Sequence, residues 1–148
     1  MNEMIIQVMS AFVGSIGFAV FFKMKGKQII MAGLGGAVTW AVFLIFNVQL
    51  GGQFVPNLIA AIFVGIYAEI MARVNKAPAT IFLTAAAVPL SPGGKLYYAM
   101  AGLVNDDRAA FTQNGEAAIT IALAISLGFV IVALASKYLY MFIKTKPR

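Results

Sequence analysis

Val88-Pro89-Leu90-Ser91-Pro92-Gly93-Gly94-Lys95-Leu96-Tyr97-Tyr98 is the stretch on which the reading of this chain turns. It sits inside an apolar segment, 78–104, whose only charge is Lys95. Pro89 and Pro92 each remove an amide donor and clash with the preceding helical turn. Gly93 and Gly94 add access to positive φ. A continuous helix is therefore not expected here. In hydrocarbon, irregular backbone is tolerated only where protein or a water-filled cavity covers it. The break should face the interior of a helical bundle.

The surrounding chain supplies that bundle. Of its 148 residues, 61% are hydrophobic and 11% charged, and the mean hydropathy is +0.91. Soluble domains carry about a quarter charged residues. This balance excludes a disordered chain and points to a membrane protein. Charge-free runs cover 4–22, 28–68, 77–94, 96–105 and 117–136. A spanning helix needs about 20 apolar residues. The run 28–68 is long enough for two, with a turn at its polar stretch of Asn47, Gln49, Gly51, Gly52 and Gln53. Pro56 then falls in the first turn of the next helix, where a missing N–H costs little. The chain reads as one all-α transmembrane domain, 1–148. Its five spans lie near 4–22, 28–46, 55–73, 78–104 and 117–138, the fourth broken at mid-membrane. Ser10, Gly14 and Gly17, and Ala32, Gly33, Gly36 and Ala37, form small-residue faces suited to close packing in ordinary bundles.

Five spans put the two ends on opposite sides. The net charge of +6 then reports topology rather than nucleic-acid binding. Lys23, Lys25, Lys27, Arg73, Lys76, Lys137, Lys144, Lys146 and Arg148 all fall on one side. Arg108 falls on the other, with Glu3, Asp106, Asp107 and Glu116. By the positive-inside rule the basic side is cytoplasmic, so the N-terminal end is outside. If 78–104 merely re-entered, the bias would vanish. A cleaved signal peptide would need basic residues before the first apolar run, and here they follow it. Tyr138, Tyr140 and Phe142, beside Lys137 and Lys144, read as an interfacial belt.

The chain has no Cys and no His, which removes thiol and imidazole chemistry and the usual metal ligands. No enzymatic activity, metal or cofactor is expected. The chemistry that remains lies at the break. Its first half, about 78–88, would end in free carbonyls. Its second half, about 95–104, would start with free N–H groups and the positive end of the helix dipole. Discontinuous helices of this kind hold substrates in secondary transporters, and the positive end suits a carboxylate. Lys95 adds a cation there; the alternative is that it snorkels or pairs with Glu69. Ser91, Tyr97 and Tyr98 offer hydroxyl donors, or pack. Glu69 could couple protons or gate, or simply pair with Arg73 at i,i+4. Thr80 and Thr84 share a face leading to the break. Asn57 reads as a cap or loop residue.

Several of these segments resemble the threonine/serine exporter family. They are Ala68-Glu69-Ile70-Met71-Ala72-Arg73, Ala77-Pro78-Ala79-Thr80-Ile81-Phe82 and Val88 onward through Tyr98-Ala99-Met100. Gly17-Phe18-Ala19-Val20-Phe21-Phe22 and Gly35-Gly36-Ala37-Val38-Thr39-Trp40 also fit. The match is to the small subunit, equivalent to the C-terminal half of single-chain members. The resemblance implies a bacterial inner-membrane exporter of threonine and serine, or of a dicarboxylate such as succinate. Alternating access would run around a substrate site at Pro89, Ser91, Pro92, Gly93, Gly94, Lys95, Tyr97 and Tyr98. It also implies a larger membrane subunit as partner, with a homodimer as the alternative assembly. A structural subunit that only stabilises a transporting partner is the alternative function.

Overall fold

The computed structural model describes residues 2–144, with side chains through 141. Lys146 and Arg148 of the basic C-terminal group lie outside the described residues, as do the side chains of Phe142 and Lys144. The helices are α1 (Asn2–Phe21), α2 (Lys27–Leu50), α3 (Phe54–Asn75), α4 (Ala79–Ala87), α5 (Gly93–Val104) and α6 (Arg108–Lys144). A single 3₁₀ turn, Val88–Leu90, joins α4 to the segment before α5. The fold is all-α. Four helices, α1, α2, α3 and α6, are long and apolar enough to cross a membrane.

Two boundaries differ from the sequence reading. Helix α2 continues through Asn47 and Gln49 to Leu50, so the polar stretch is mostly helical. The turn is confined to 51–53, where Gly51 and Gly52 adopt φ of +64° and +73°. Pro56 lies in the first turn of α3, as expected. Helix α6 starts at Arg108, nine residues ahead of the expected span (117 − 108). Its first turns carry Thr112, Gln113, Asn114 and Glu116, and Asp107 Oδ1 accepts from the Ala110 N–H at 3.0 Å. That cap lets the helix begin in a polar stretch that apolar-run counting passes over.

Three helices end in the same way without glycine. Lys23, Lys76 and Asp106 adopt φ of 57°, 49° and 56°. The following amides close back on the helix: Met24 N–H to Ala19 O, Ala77 N–H to Ala72 O, and Asp107 N–H to Gly102 O, at 3.0, 3.0 and 2.8 Å. These satisfy carbonyls that would otherwise lack partners. The turns after α1 and α3 lie at one end of the bundle. Met24 is buried there with Ala19, Ala68 and Phe82, and Met71 and Ala77 pack on them. The basic cluster Lys23, Lys25, Lys27, Arg73 and Lys76 therefore belongs to one end.

Packing is by small residues. Ala32, Gly33, Gly35, Gly36 and Thr39 are the buried positions of α2. Gly36 receives Ser15, and a Cβ on Gly33 would come within 2.7 Å of Ile16. The α1 side of this contact is Ala11, Ser15 and Ala19. This corrects the expected face: Ser10 and Gly17 are exposed, and a Cβ on Gly14 or Gly17 would meet nothing within 4 Å. The two small stripes of α1 adjoin, and composition alone does not choose between them. The hydroxyls of Ser15 and Thr39 are buried with no hydrogen-bond partner among the described residues. Tyr67 donates its hydroxyl to Met31 O at 2.5 Å, tying α3 to α2.

Helix α6 buries Ala118, Ile121, Ala124, Gly128 and Val132, a near-heptad stripe of the kind that forms close helix seams. Its first part packs on α5 and its second on α3. Gly128 lies against Ala61, and Val132 against Gly65, so α3 and α6 run parallel. A Cβ on Gly128 would come within 2.6 Å of Ala61 Cβ and 3.2 Å of the backbone at Leu58 and Ile62. Backbone cannot yield cheaply. Gly128→Ala is expected to destabilise by about 1–3 kcal/mol through overpacking. Gly115→Ala, on the same helix with open space around it, is expected to stabilise by up to about 1 kcal/mol through helix propensity. Thermal unfolding of both variants in detergent checks this pair; equal shifts would overturn the seam.

Candidate functional site

The helix ending at Ala87 does not run into α5. After the 3₁₀ turn, Ser91 is extended (φ −56°, ψ 134°) and Pro92 precedes α5 with φ −77° and ψ 38°. Ser91 N–H donates to Val88 O at 3.0 Å, Gly93 N–H to Ser91 O at 2.8 Å, and Leu96 N–H to Pro92 O at 2.9 Å. The first N–H groups of a helix lack partners within it, and no side chain caps this one.

The glycines act differently from the expectation. Gly93 and Gly94 are the first two residues of α5, and neither has positive φ. A Cβ on either would meet nothing within 4 Å. Neither conformation nor internal packing requires glycine here. The consequence of their small size is open access to the backbone at the start of α5.

A cavity of 280 Å³ lies beside this start. The break contributes Pro89, Leu90, Ser91 and Pro92, and α5 contributes Gly94, Lys95 and Tyr98. Trp40 and Phe43 of α2, Asn57 of α3 and Ile121 of α6 form the rest. Six of the eight expected site residues thus come together. Gly93 and Tyr97 do not line this space. Tyr97 is 69% exposed and meets Tyr98 edge-on with ring centroids 5.4 Å apart.

Lys95 is half-buried and makes no ion pair among the described residues. Glu69 instead pairs with Arg73, at 3.9 Å. Glu69 lies twelve residues beyond Asn57 on α3, about 18 Å along the axis, so it belongs to the other end of the bundle. Thr84 donates its hydroxyl to Thr80 O and opens onto a groove of 590 Å³ between α1, α4 and α6. Ser91 lines both this groove and the cavity, and Ser126 of α6 lines the groove. Thr80 does not line it.

Two site residues were not foreseen. Asn57 is no loop residue: it is buried within α3, its Nδ2 donating to Gln53 O at 2.6 Å. An amide within an otherwise apolar span was the available signal. Trp40 donates its indole N–H to Gln7 Oε1 at 3.2 Å. Its ring packs on Phe43 with centroids 4.8 Å apart. It is the single tryptophan of the chain, and tryptophan is more usual in interfacial belts than beside a mid-helix cavity.

A family model described as Threonine/Serine exporter, ThrE, matches residues 7–135. No curated protein matches the chain, and no solved structure does.

The Glu69–Arg73 pair is long, and its side chains are 36% and 58% exposed. Pairs of this kind contribute little to stability. Arg73→Gln is expected to change unfolding stability by less than about 1 kcal/mol. Thermal unfolding checks this, and a larger loss would make the pair structural.

Proposed function

This chain belongs to the threonine/serine exporter family, and from that premise we propose that its broken segment forms the substrate site of the exporter. The family is one of transporters, not enzymes. The substrate class proposed is a small carboxylate-bearing metabolite: threonine or serine, or a dicarboxylate such as succinate. The observation that carries the reading is one cavity. It is lined by Gly94 and Lys95 at the start of α5 together with Ser91 and Tyr98. A helix N-terminus favours an anion through its free N–H groups and dipole. Lys95 adds a full charge and makes no ion pair among the described residues.

The same packing supports five spans. Ile121 of α6 lines the cavity at the start of α5, and Ile125 and Phe129 line the groove that Leu83 and Ala87 of α4 also line. Helix α5 packs along α6, and α4 faces the next stretch of α6 across the groove, so the two halves of the broken segment follow one direction. Helix α6 is parallel to α3, which supports a return crossing between them. The 26 residues of 79–104 would reach about 39 Å if helical throughout, enough to cross about 30 Å of hydrocarbon. With the basic cluster in the cytoplasm, the N-terminal end is outside. The break lies about 18 Å from the cytoplasmic start of α4, within the membrane. Alternating access would move substrate between the groove at Thr84 and Ser91 and the cavity at Lys95 and Tyr98. Glu69 and Arg73 sit at the inner end, placed for coupling or gating.

The setting is proposed to be the bacterial inner membrane, with a larger membrane subunit of the same family as partner. The support is α5. It packs chiefly on α6 and leaves Leu96, Tyr97, Met100 and Leu103 exposed. Co-purification from detergent followed by mass measurement should recover a heteromer; a pure homodimer would overturn the partner assignment. The site itself is tested in substrate-loaded cells. Lys95→Ala and Gly94→Leu are expected to cut export at least about tenfold, in keeping with loss of a charge-assisted contact, while membrane levels hold. Unchanged export by both variants would sink the reading.

A further inference from the structure

The cavity at the break has a neighbour. A second cavity, of 320 Å³, lies between α1 and α2, lined in part by Gln7, Ser10, Gly14 and Val88. Trp40 and Pro89 line both cavities. The proline is fixed in the backbone of the 3₁₀ turn. Of these two, the tryptophan is therefore the side chain that a rotamer change can swing aside.

Trp40 is held in place from both directions. Phe43, one turn on, packs against the ring, and Gln7 of α1 accepts from the indole N–H. This is not the setting of a belt tryptophan. Trp40 is ten residues from the end of α2, about 15 Å along the helix, and its N–H is satisfied by a protein amide rather than by headgroups. Gln7 has a reason of its own to be there. An amide in an apolar span is costly unless it is hydrogen-bonded, and Trp40 supplies the donor.

We infer that Trp40 sets the upper size limit of the exported molecule, with Gln7 as its positioning residue. This rests on the reading that the break holds substrate. The 280 Å³ space at the break is open on one side, where Tyr98 is 59% exposed, so Trp40 limits a substrate in the direction of α1. Removing the indole would join this space to the 320 Å³ space beside α1. The added volume is bordered by Gly14, where even a Cβ would meet nothing within 4 Å. A bulky apolar group on the substrate would find room there.

The test uses the whole exporter in cells loaded with paired probes. Each pair is a small carboxylate and its benzyl-bearing counterpart: threonine with phenylalanine, and succinate with benzylsuccinate. The readout is the ratio of small to large export, which a merely structural loss would not move. Trp40→Ala is expected to lower the small-to-large preference by about tenfold or more, the scale of pocket-size discrimination. Trp40→Phe, which keeps a ring but loses the N–H, and Gln7→Leu should lower it less. Gln7→Glu, which retains an acceptor, should leave it near the wild-type value. A preference within twofold of the wild type in every exporting variant would overturn the inference. So would loss of both probes in all these variants with protein present in the membrane, because that would make Trp40 structural. Gly94→Leu separates the two readings. If it leaves small-probe export intact, the site assignment fails; if it blocks export while Trp40→Ala leaves the ratio unchanged, only the size limit fails.

Discussion

Backbone amides and carbonyls must find partners wherever water is absent, and five residues at 88–92 strain that requirement more than any others in this chain. Two of the five are prolines and have no N–H to offer. The 3₁₀ turn recovers part of the loss, with Ser91 bonded to Val88 and Gly93 to Ser91. Enclosure offsets a further part at 88–90, whereas Ser91 beyond the turn is exposed. Helices α1, α2 and α3 all pack against the turn, and Leu90 at its end is buried. The small residues of α2 are what let this enclosure form. Gly35 admits Tyr67 and Ala86, and Gly36 admits Ser15. Larger residues there would hold α1, α3 and α4 away from one another and leave the turn uncovered.

Much of this was legible because apolar length and proline placement are one-dimensional signals. Spans of about 20 apolar residues, Pro56 in a first turn and the Pro89–Pro92 break can be read without knowing any contact. Faces could not be read. In a soluble helix an apolar stripe marks the core, but lipid is as apolar as a core. The Ser10-Gly14-Gly17 stripe and the Ala11-Ser15-Ala19 stripe therefore look equally good, and only the fold shows that the second is packed. The start of α6 was hidden for a related reason. Its first turns are polar, and the Asp107 cap that begins it belongs to a run of three charged residues that reads as a loop.

The lining of the cavity shows the same division. Ser91, Gly94, Lys95 and Tyr98 were legible because they lie within a few residues of the break. Trp40 and Asn57 were not, because only the fold brings α2 and α3 beside it. The glycines illustrate a subtler miss. Gly93 and Gly94 were read as conformational residues, yet the turn that needs positive φ is at Gly51 and Gly52. At the break glycine matters for what it leaves uncovered.

Helix α6 bears on how such a site could open. It is 37 residues long, about 55 Å, and it is gripped by α5 near its start and by α3 over its second half. The α5–α6 pair forms a stiff hairpin, joined at Gly102, where a Cβ would strike the backbone of Asp107 and Phe111. On the other side α5 is attached to the bundle through the irregular backbone at Ser91 and Pro92. A rod clamped in this way behaves as a lever whose fulcrum is the glycine seam at Gly65 and Gly128. A small tilt there moves α5 and the far end of α6 in opposite directions. The cavity at the start of α5 and the far end of α6 are thereby mechanically linked through one uninterrupted element.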